Sequence, residues 1–83
     1  MDALGQEQFR EFVTHRSSAL MKLAVLLSAG DLHEAEDLLQ NALVKTAGHW
    51  SRIKEPEAYV RQVLYRQQVS RWRLLRRRRE TTV

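Results

Sequence analysis

Apolar residues recur at steps of three and four in three segments of the chain, and this spacing most constrains the fold. The first segment covers residues 6–27 and the third covers residues 56–78. Between them, Asp31 followed by Glu34 resembles a capping box that starts a second helix, and Gly48 marks its end. No alternating pattern typical of a β-strand persists anywhere in the sequence. The sequence therefore predicts an all-α domain, a compact bundle of three main helices.

The apolar face of each helix is expected to form the core of this bundle. Arg16 falls within the stripe of the first helix, where its stem can cover apolar surface while its head stays in water. Gly30 suits the left-handed position just past the end of that helix. The residues expected to face inward are Phe9, Phe12, Val13, Leu20, Leu23 and Leu27 in the first helix, Leu32, Ala35, Leu38, Leu39, Ala42, Leu43 and Ala47 in the second, and Tyr59, Val60, Val63, Leu64 and Leu75 in the third.

The linker before the third helix mixes apolar and charged residues. We expect Trp50 and Ile53 to pack into the core, while Arg52 and Lys54 stay exposed. Pro56 suits the first turn of the next helix because the N–H that proline lacks is not needed there. We expect the far end of that helix to protrude, since its run of four consecutive arginines cannot be packed.

Length and cysteine content argue against several classes of protein. The chain has 83 residues and no cysteine, so we expect one domain (residues 1–83) without disulfides or a thiolate zinc site. A chain this short can hardly enclose the ~300 Å³ of a typical ligand pocket, which argues against an enzyme. His33 and Asp37 lie one turn apart, but two ligands are too few for a metal site, so neither a metal nor a cofactor is expected. Because no export signal or membrane-spanning run is readable, we expect a soluble, cytoplasmic protein with no membrane partner.

Charge is distributed very unevenly along the chain. Six basic and nine acidic residues give residues 1–60 a net charge of −3, whereas eight arginines and one acid give residues 61–83 a net charge of +7. Such polarity suggests two different partners, one of which is a polyanion. In the third helix, a cationic face with steps of four, three and four residues is formed by Arg66, Ser70, Arg73 and Arg77.

Two readings of this basic helix follow from its residues. Arginines that neutralise phosphates would bind nucleic acid, and the interleaved Tyr65 and Trp72 could stack on unpaired bases. The other reading is a solvated basic helix, or one attracted to an acidic lipid surface. Because little apolar surface is left to enter lipid, the pattern favours nucleic acid.

The outer face of the second helix is polar but weakly charged. Asp37, Gln40, Asn41 and Val44 follow one another at steps of three, one and three residues. This face could dock against helices of another protein through hydrogen bonds. An ordinary exposed face explains it equally well, since interfaces and surfaces differ little in polarity.

The segment DLHEAEDLLQNALVK (residues 31–45) resembles the second conserved region of bacterial sigma factors of the extracytoplasmic-function group, where D-x-x-EAEDLVQE is typical. Residues 50–53, residues 56–61 and Trp72 before the arginine run fit the same group, closest to an actinobacterial subfamily. The resemblance covers about residues 9–79. It implies the all-α fold of sigma region 2 and an adaptor that catalyses no reaction.

The resemblance also implies roles for particular residues. In the family, one face of the second helix binds the clamp helices of RNA polymerase core. Here that face corresponds to Asp37, Leu38, Gln40, Asn41 and Val44. The last helix and the loop before it recognise and open the promoter −10 element and capture a base flipped from the non-template strand. The corresponding DNA-binding residues here are Arg52, Lys54, Arg61, Gln62, Arg66, Ser70, Arg73, Arg76 and Arg77.

Two departures from the family pattern are visible. Family members often carry asparagine where this chain has Arg66, which could read guanine or hold a phosphate instead. Such sigma factors also continue into a region 4 helix-turn-helix that reads the −35 element, and we expect this chain to lack that region. We therefore expect an isolated domain or a shortened relative, with weaker binding than two tethered modules would give.

Two other functions remain open from the sequence. One is a regulatory interaction module without a DNA role, such as a decoy that occupies polymerase or an anti-sigma factor. The other is a general nucleic-acid binder that uses charge alone. An anti-sigma factor is also a possible partner under the sigma-factor reading.

Overall fold

Capping side chains set the beginnings of the first two helices, and a proline begins the third. The computed structural model describes the backbone of residues 1–81 and the side chains of residues 1–77. Three helices cover most of this part, α1 (Ala3–Leu27), α2 (Leu32–Gly48) and α3 (Pro56–Thr81), with a single 3₁₀ turn at Trp50–Arg52. No strand is present within it. The predicted all-α bundle of three helices is confirmed.

Asp31 caps α2 as its sequence predicts, because its carboxylate accepts a hydrogen bond of 3.1 Å from the Glu34 amide. The start of α1 differs from the prediction. Its helix begins at Ala3 instead of near residue 6, because the Asp2 carboxylate accepts a hydrogen bond of 2.7 Å from the Gly5 amide. A second aspartate cap therefore adds nearly one turn to α1.

The turn between α1 and α2 uses two left-handed residues. Gly30 has a φ of 87°, as its sequence position predicts, and Ala29 before it has a φ of 53°. The Gly30 amide donates a 3.0 Å hydrogen bond to the Val25 carbonyl, which satisfies one of the free carbonyls at the end of α1. The chain reverses here within a few residues, so α2 returns along α1.

The core lies where the three helices meet, and each helix contributes to it. Alanines with no exposed surface lie on α1 and α2, and such small side chains let helices approach closely. The buried apolar residues are Leu20 and Ala24 of α1, Ala35, Leu38, Leu39 and Ala42 of α2, and Val60, Val63 and Leu64 of α3. The core predicted for the middle of each helix is therefore confirmed.

Two ion pairs between helices show how the bundle is arranged. Near the start of α3, Glu57 pairs with Arg16 of α1. Further along α3, Arg71 pairs at 3.1 Å with Glu34 in the first turn of α2. The start of α2 thus lies beside the later part of α3, so the two helices run antiparallel.

An aromatic cluster holds the linker against α1. The Trp50 ring lies 5.3 Å from Phe9 in an edge-to-face arrangement and 5.7 Å from Phe12. Ile53 is half-buried, whereas Arg52 and Lys54 are exposed. The predicted division of the linker into inward apolar and outward basic residues is confirmed.

Two residues that were expected to face inward are exposed. Leu32 is 61% exposed because it is the first residue of α2 and lies at the open end of the bundle. Leu75 is 48% exposed because it lies one turn beyond Arg71, which already pairs with the first turn of α2. Since α2 does not extend further, no part of it covers Leu75.

The later part of α3 protrudes, as the sequence predicts. Val69, Trp72 and Leu74 are exposed there together with Leu75, and the molecule extends 53 Å along its longest axis but only 23 and 17 Å across. The side chains of Arg78 and Arg79, the last two of the arginine run, lie outside the described residues. Within residues 1–81, no helix combines the length and apolarity needed to cross a bilayer.

Two leucines of α3 provide a matched test of this core. Leu64 is fully buried and Leu74 is 52% exposed. We predict that Leu64→Ala lowers the free energy of unfolding by about 2–5 kcal/mol because it leaves a cavity. Leu74→Ala should change it by less than about 0.5 kcal/mol. Urea denaturation followed by circular dichroism measures both, and equal losses would contradict the described position of α3.

Candidate nucleic-acid interface

A surface groove opens where the linker meets the first half of α3. It has a volume of about 850 Å³ and is open to solvent. We call it the basic groove. Five residues that the sequence resemblance assigns to DNA binding line it: Arg52, Lys54, Arg61, Gln62 and Arg66. The structure therefore brings together residues from two separate segments of the chain.

The linker shapes one wall of the basic groove through its own hydrogen bonds. The Arg52 amide donates to the His49 carbonyl at 2.9 Å, and the Ile53 amide donates to the Trp50 carbonyl at 3.2 Å. These bonds close the 3₁₀ turn, while Trp50 packs against α1. Arg52 and Lys54 are consequently left exposed at the groove.

The other wall is formed by successive turns of α3. Arg61 and Gln62 lie one turn before Tyr65 and Arg66, so the four side chains form neighbouring pairs on the helix surface. All four are exposed. Tyr59, which was expected to face inward, is half-buried and lines the groove as well, with its ring 6.3 Å from that of His49. Two tyrosines therefore lie among the cations.

The charge of the basic groove is strongly positive. Four of its lining residues are arginine or lysine, and Glu55 is the one carboxylate among the described lining residues. Phosphates and the acceptor atoms of bases fit a surface that is rich in cationic donors. Among residues 1–77, no hydrogen bond or ion pair engages the side chains of Arg52 or Arg66.

Glu57 links this groove to α1. Its carboxylate accepts a 3.0 Å hydrogen bond from Arg16 Nε and lies 3.6 Å from the guanidinium of Arg61. The hydrogen bond from Arg16 lowers the pKa of Glu57, and the charges of Arg16 and Arg61 lower it further against an opposing effect of burial. Glu57 therefore stays ionised at neutral pH and holds Arg61 at the edge of the groove.

A cationic face continues from the groove along α3. Ser70 and Arg73 are exposed and follow Arg66 at steps of four and three residues, and the exposed Arg77 comes one turn later. Arg76 is exposed as well. Beside this face lies an apolar stripe formed by Tyr65, Val69 and Trp72, which are 41–54% exposed. All nine residues assigned to DNA binding are therefore exposed, either in the groove or along α3.

Arg71 of α3 forms an ion pair with another helix. Its guanidinium pairs with Glu34 of α2 instead of joining the cationic face. Neither this pair nor the pair between Arg16 and Glu57 was anticipated, because both join residues far apart in the sequence. Only the relative alignment of two helices could have revealed them.

The face of α2 assigned to polymerase lies opposite the core. Asp37, Gln40, Asn41 and Val44 are exposed, Val44 by 66%. Leu38 is only 5% exposed and belongs to the core, so its side chain supports this face from inside and is not accessible to a partner. We call the four exposed residues the α2 polar face. Its docking role stays a prediction.

Comparisons with known proteins agree with the resemblance seen in the sequence. The chain is 39% identical over 69 residues to an RNA polymerase sigma-E factor of Streptomyces avermitilis. It is 38% identical to a protein of the same name from Streptomyces coelicolor and 36% identical to one from Streptomyces antibioticus. Each match covers 80% of this chain but 38% of the relative, so the chain spans under two-fifths of the length of these curated relatives. No protein-family model matches the chain, and no solved structure matches it significantly.

These matches agree on one class of similar proteins. The chain is related to bacterial sigma factors, and the matched region includes most of its length. More narrowly, its relatives are sigma-E factors of the actinobacterial genus Streptomyces, which confirms the resemblance to an actinobacterial subfamily of the extracytoplasmic-function group.

The ion pairs of Glu57 predict a pH-dependent contribution to stability. Because folding lowers the pKa of Glu57 below its ordinary value of 4.5, the contribution is present above that value and is lost as the pH falls through the lowered pKa. Glu57→Gln should therefore unfold at lower urea than the wild type at neutral pH, and the difference should shrink in acid.

A matched control is Glu55→Gln, since the Glu55 carboxylate makes no ion pair among the described residues. Its urea midpoint should follow that of the wild type across the same pH range. A difference between Glu57→Gln and the wild type that stays constant down to strong acid would contradict the ionic role of Glu57.

Proposed function

We propose that this chain is the part of a sigma factor that binds RNA polymerase core and the promoter −10 element during transcription initiation. The observation that carries the proposal is the basic groove, in which linker and α3 residues meet. In this proposal the groove and the cationic face of α3 bind the partly single-stranded non-template strand. The chain acts as an adaptor and carries out no reaction.

The chemistry of the groove supports binding of an opened strand. Unpaired bases present their faces and edges, which aromatic rings and side-chain amides can contact, while arginines bind the phosphates. Tyr59, Tyr65 and Gln62 lie among the cations of the groove. A closed duplex would offer phosphates but few exposed base faces. The groove therefore suits a melted strand better than a duplex.

The α2 polar face supports a separate contact with polymerase. It carries one charge, that of Asp37, and exposes the apolar Val44 beside two amides. Such a surface suits a protein partner better than a polyanion. The names of the relatives, RNA polymerase sigma-E factor, agree with a polymerase-binding role. We therefore assign DNA and polymerase to different faces of the domain.

We predict that Asp37→Arg combined with Gln40→Ala abolishes binding to RNA polymerase core but leaves binding to single-stranded DNA within about twofold, because these residues lie on the α2 polar face and not in the groove. Pull-down with core polymerase and fluorescence anisotropy with a labelled oligonucleotide measure the two affinities.

The matched control is Glu11→Arg, an equal charge reversal at an exposed position of α1. It should retain both interactions. Unchanged polymerase binding by the double variant, with a helical circular dichroism spectrum, would disprove the docking assignment. Loss of both interactions in a folded protein would disprove the separation of the two faces.

We predict that Arg73→Ala weakens binding to single-stranded DNA and reduces the slope of log affinity against log salt by about 0.7 for the phosphate contact removed. Arg77→Ala should do the same. Arg10→Ala, at an exposed position of α1, is the control and should leave the slope unchanged.

The wild type should also prefer single-stranded DNA with a −10-like sequence to a duplex or an arbitrary strand. An unchanged salt slope in both α3 variants would exclude phosphate contacts along the cationic face. Equal binding of all sequences and strand forms would favour a general nucleic-acid binder and contradict the promoter role.

A further inference from the structure

We propose that the basic groove selects an unpaired guanine, which stacks on Tyr65 and is read by the guanidinium of Arg66. This inference rests on the proposed binding of a melted strand in the groove. It goes beyond that function because it names the base that the groove recognises and the residue that recognises it.

The positions of the two side chains carry the first step. Tyr65 and Arg66 are successive residues of α3, and both line the basic groove. The Tyr65 side chain is 48% exposed, so an aromatic surface is accessible to a base. Gln62, one turn earlier, is exposed and lines the same wall as Arg66. A base stacked on Tyr65 would therefore have its edge near a guanidinium and an amide.

The residues that line the basic groove offer many more hydrogen-bond donors than acceptors. Arginine and lysine only donate hydrogen bonds, and four such residues line the groove against the single carboxylate of Glu55 among the described lining residues. Arg61 lies beside Glu57, but no ion pair or hydrogen bond engages Arg66 within residues 1–77. Its planar fork of N–H groups is therefore free to bind a base edge with two adjacent acceptors.

The chemistry of the four bases carries the third step. Guanine presents O6 and N7 side by side, and an arginine fork binds both at once. Adenine has an amino donor next to its N7, which faces the donors of arginine unfavourably. Thymine presents isolated keto oxygens, and cytosine carries an amino donor on the same edge as its acceptors. Neither pyrimidine therefore matches the arginine fork as guanine does. The larger ring of a purine also covers more of Tyr65 than a pyrimidine does.

The test compares oligothymidylates of about twelve nucleotides that carry dG, dA, dC or dT at the central position. Fluorescence anisotropy at fixed salt gives the four affinities for the wild-type protein. The strand with dG should bind about 5- to 100-fold more tightly than the other three. Replacing that guanine with 7-deazaguanine, which lacks the N7 acceptor, should remove most of the preference.

Three substitutions separate base reading from simple charge. Arg66→Lys keeps the charge but lacks the rigid two-pronged fork, so it should reduce the preference for dG by more than it weakens binding of the dT strand. Arg66→Asn should shift the preference to dA, because an asparagine amide binds N6 and N7 of adenine. Arg73→Lys, a matched change further along α3, should alter the affinity of all four strands equally.

The results distinguish failure of the guanine inference from failure of the proposed function. If the wild type binds all four strands equally and more tightly than a duplex, the guanine inference is wrong and the proposed function stands. If Arg66→Asn keeps the dG preference, or weakens all four strands to the same extent, Arg66 holds a phosphate and does not read the base. If no strand binds better than a duplex, the proposed function itself fails.

Discussion

The arrangement of the basic surface depends on burial of the first half of α3. Val60 and Leu64 have no exposed surface, and their contacts with α1 and α2 fix the rotation of α3 about its axis. Because side chains repeat every 3.6 residues, that rotation also fixes which residues point outward. Gln62, Tyr65 and Arg66 reach the groove because Val60, Val63 and Leu64 occupy the core. A few apolar contacts thus position cations that themselves contribute nothing to the core. The ion pairs that join α3 to Arg16 of α1 and to Glu34 of α2 lie on partly exposed surface, where such pairs contribute little to stability.

Much of this architecture could be predicted from the sequence. The features that could not be predicted all have the same physical cause. Periodicity and caps identify the helices and their inner faces, because both depend on residues within about one turn of each other. They identify the linker tryptophan and the middle of the core correctly. The position at which a neighbouring helix ends cannot be predicted in this way, because it depends on residues far apart in the sequence. Leu32 and Leu75 carry the correct period but lie past the ends of their partners, so their exposure follows from helix lengths and alignment. The pair between Arg71 and Glu34 depends on that same alignment.

In the candidate site too, the sequence predicted which residues take part but not how they are arranged in space. The sequence resemblance assigns the basic linker residues and those of α3 to DNA, but it gives no reason for them to meet in space. Packing of Trp50 on Phe9 and Phe12 anchors the linker to α1, and the exposed Arg52 and Lys54 then lie at the groove beside α3. Tyr59 was assigned to the core by its period, and its half-buried position at the groove edge could be found only in the structure. The composition of the groove was therefore partly predictable, whereas its shape was not.

The uneven charge of the chain has a consequence for how two partners could share so small a domain. Residues 1–60 carry a net charge of −3 and contain α1, α2, the linker and the first residues of α3, whereas residues 61–83 carry a net charge of +7. A nucleic acid approaching the domain is attracted to α3 and repelled by α2, which carries three acidic residues against one lysine, within the ~8 Å over which charges act at physiological salt. Under the proposed function, this repulsion would keep the nucleic acid away from the α2 polar face. Because that face exposes amides, one carboxylate and a valine, a protein partner could bind it while α3 holds a strand. Under the proposed function, the uneven charge along the sequence would separate the two partners in space, since the core contacts of α3 leave its cationic face exposed.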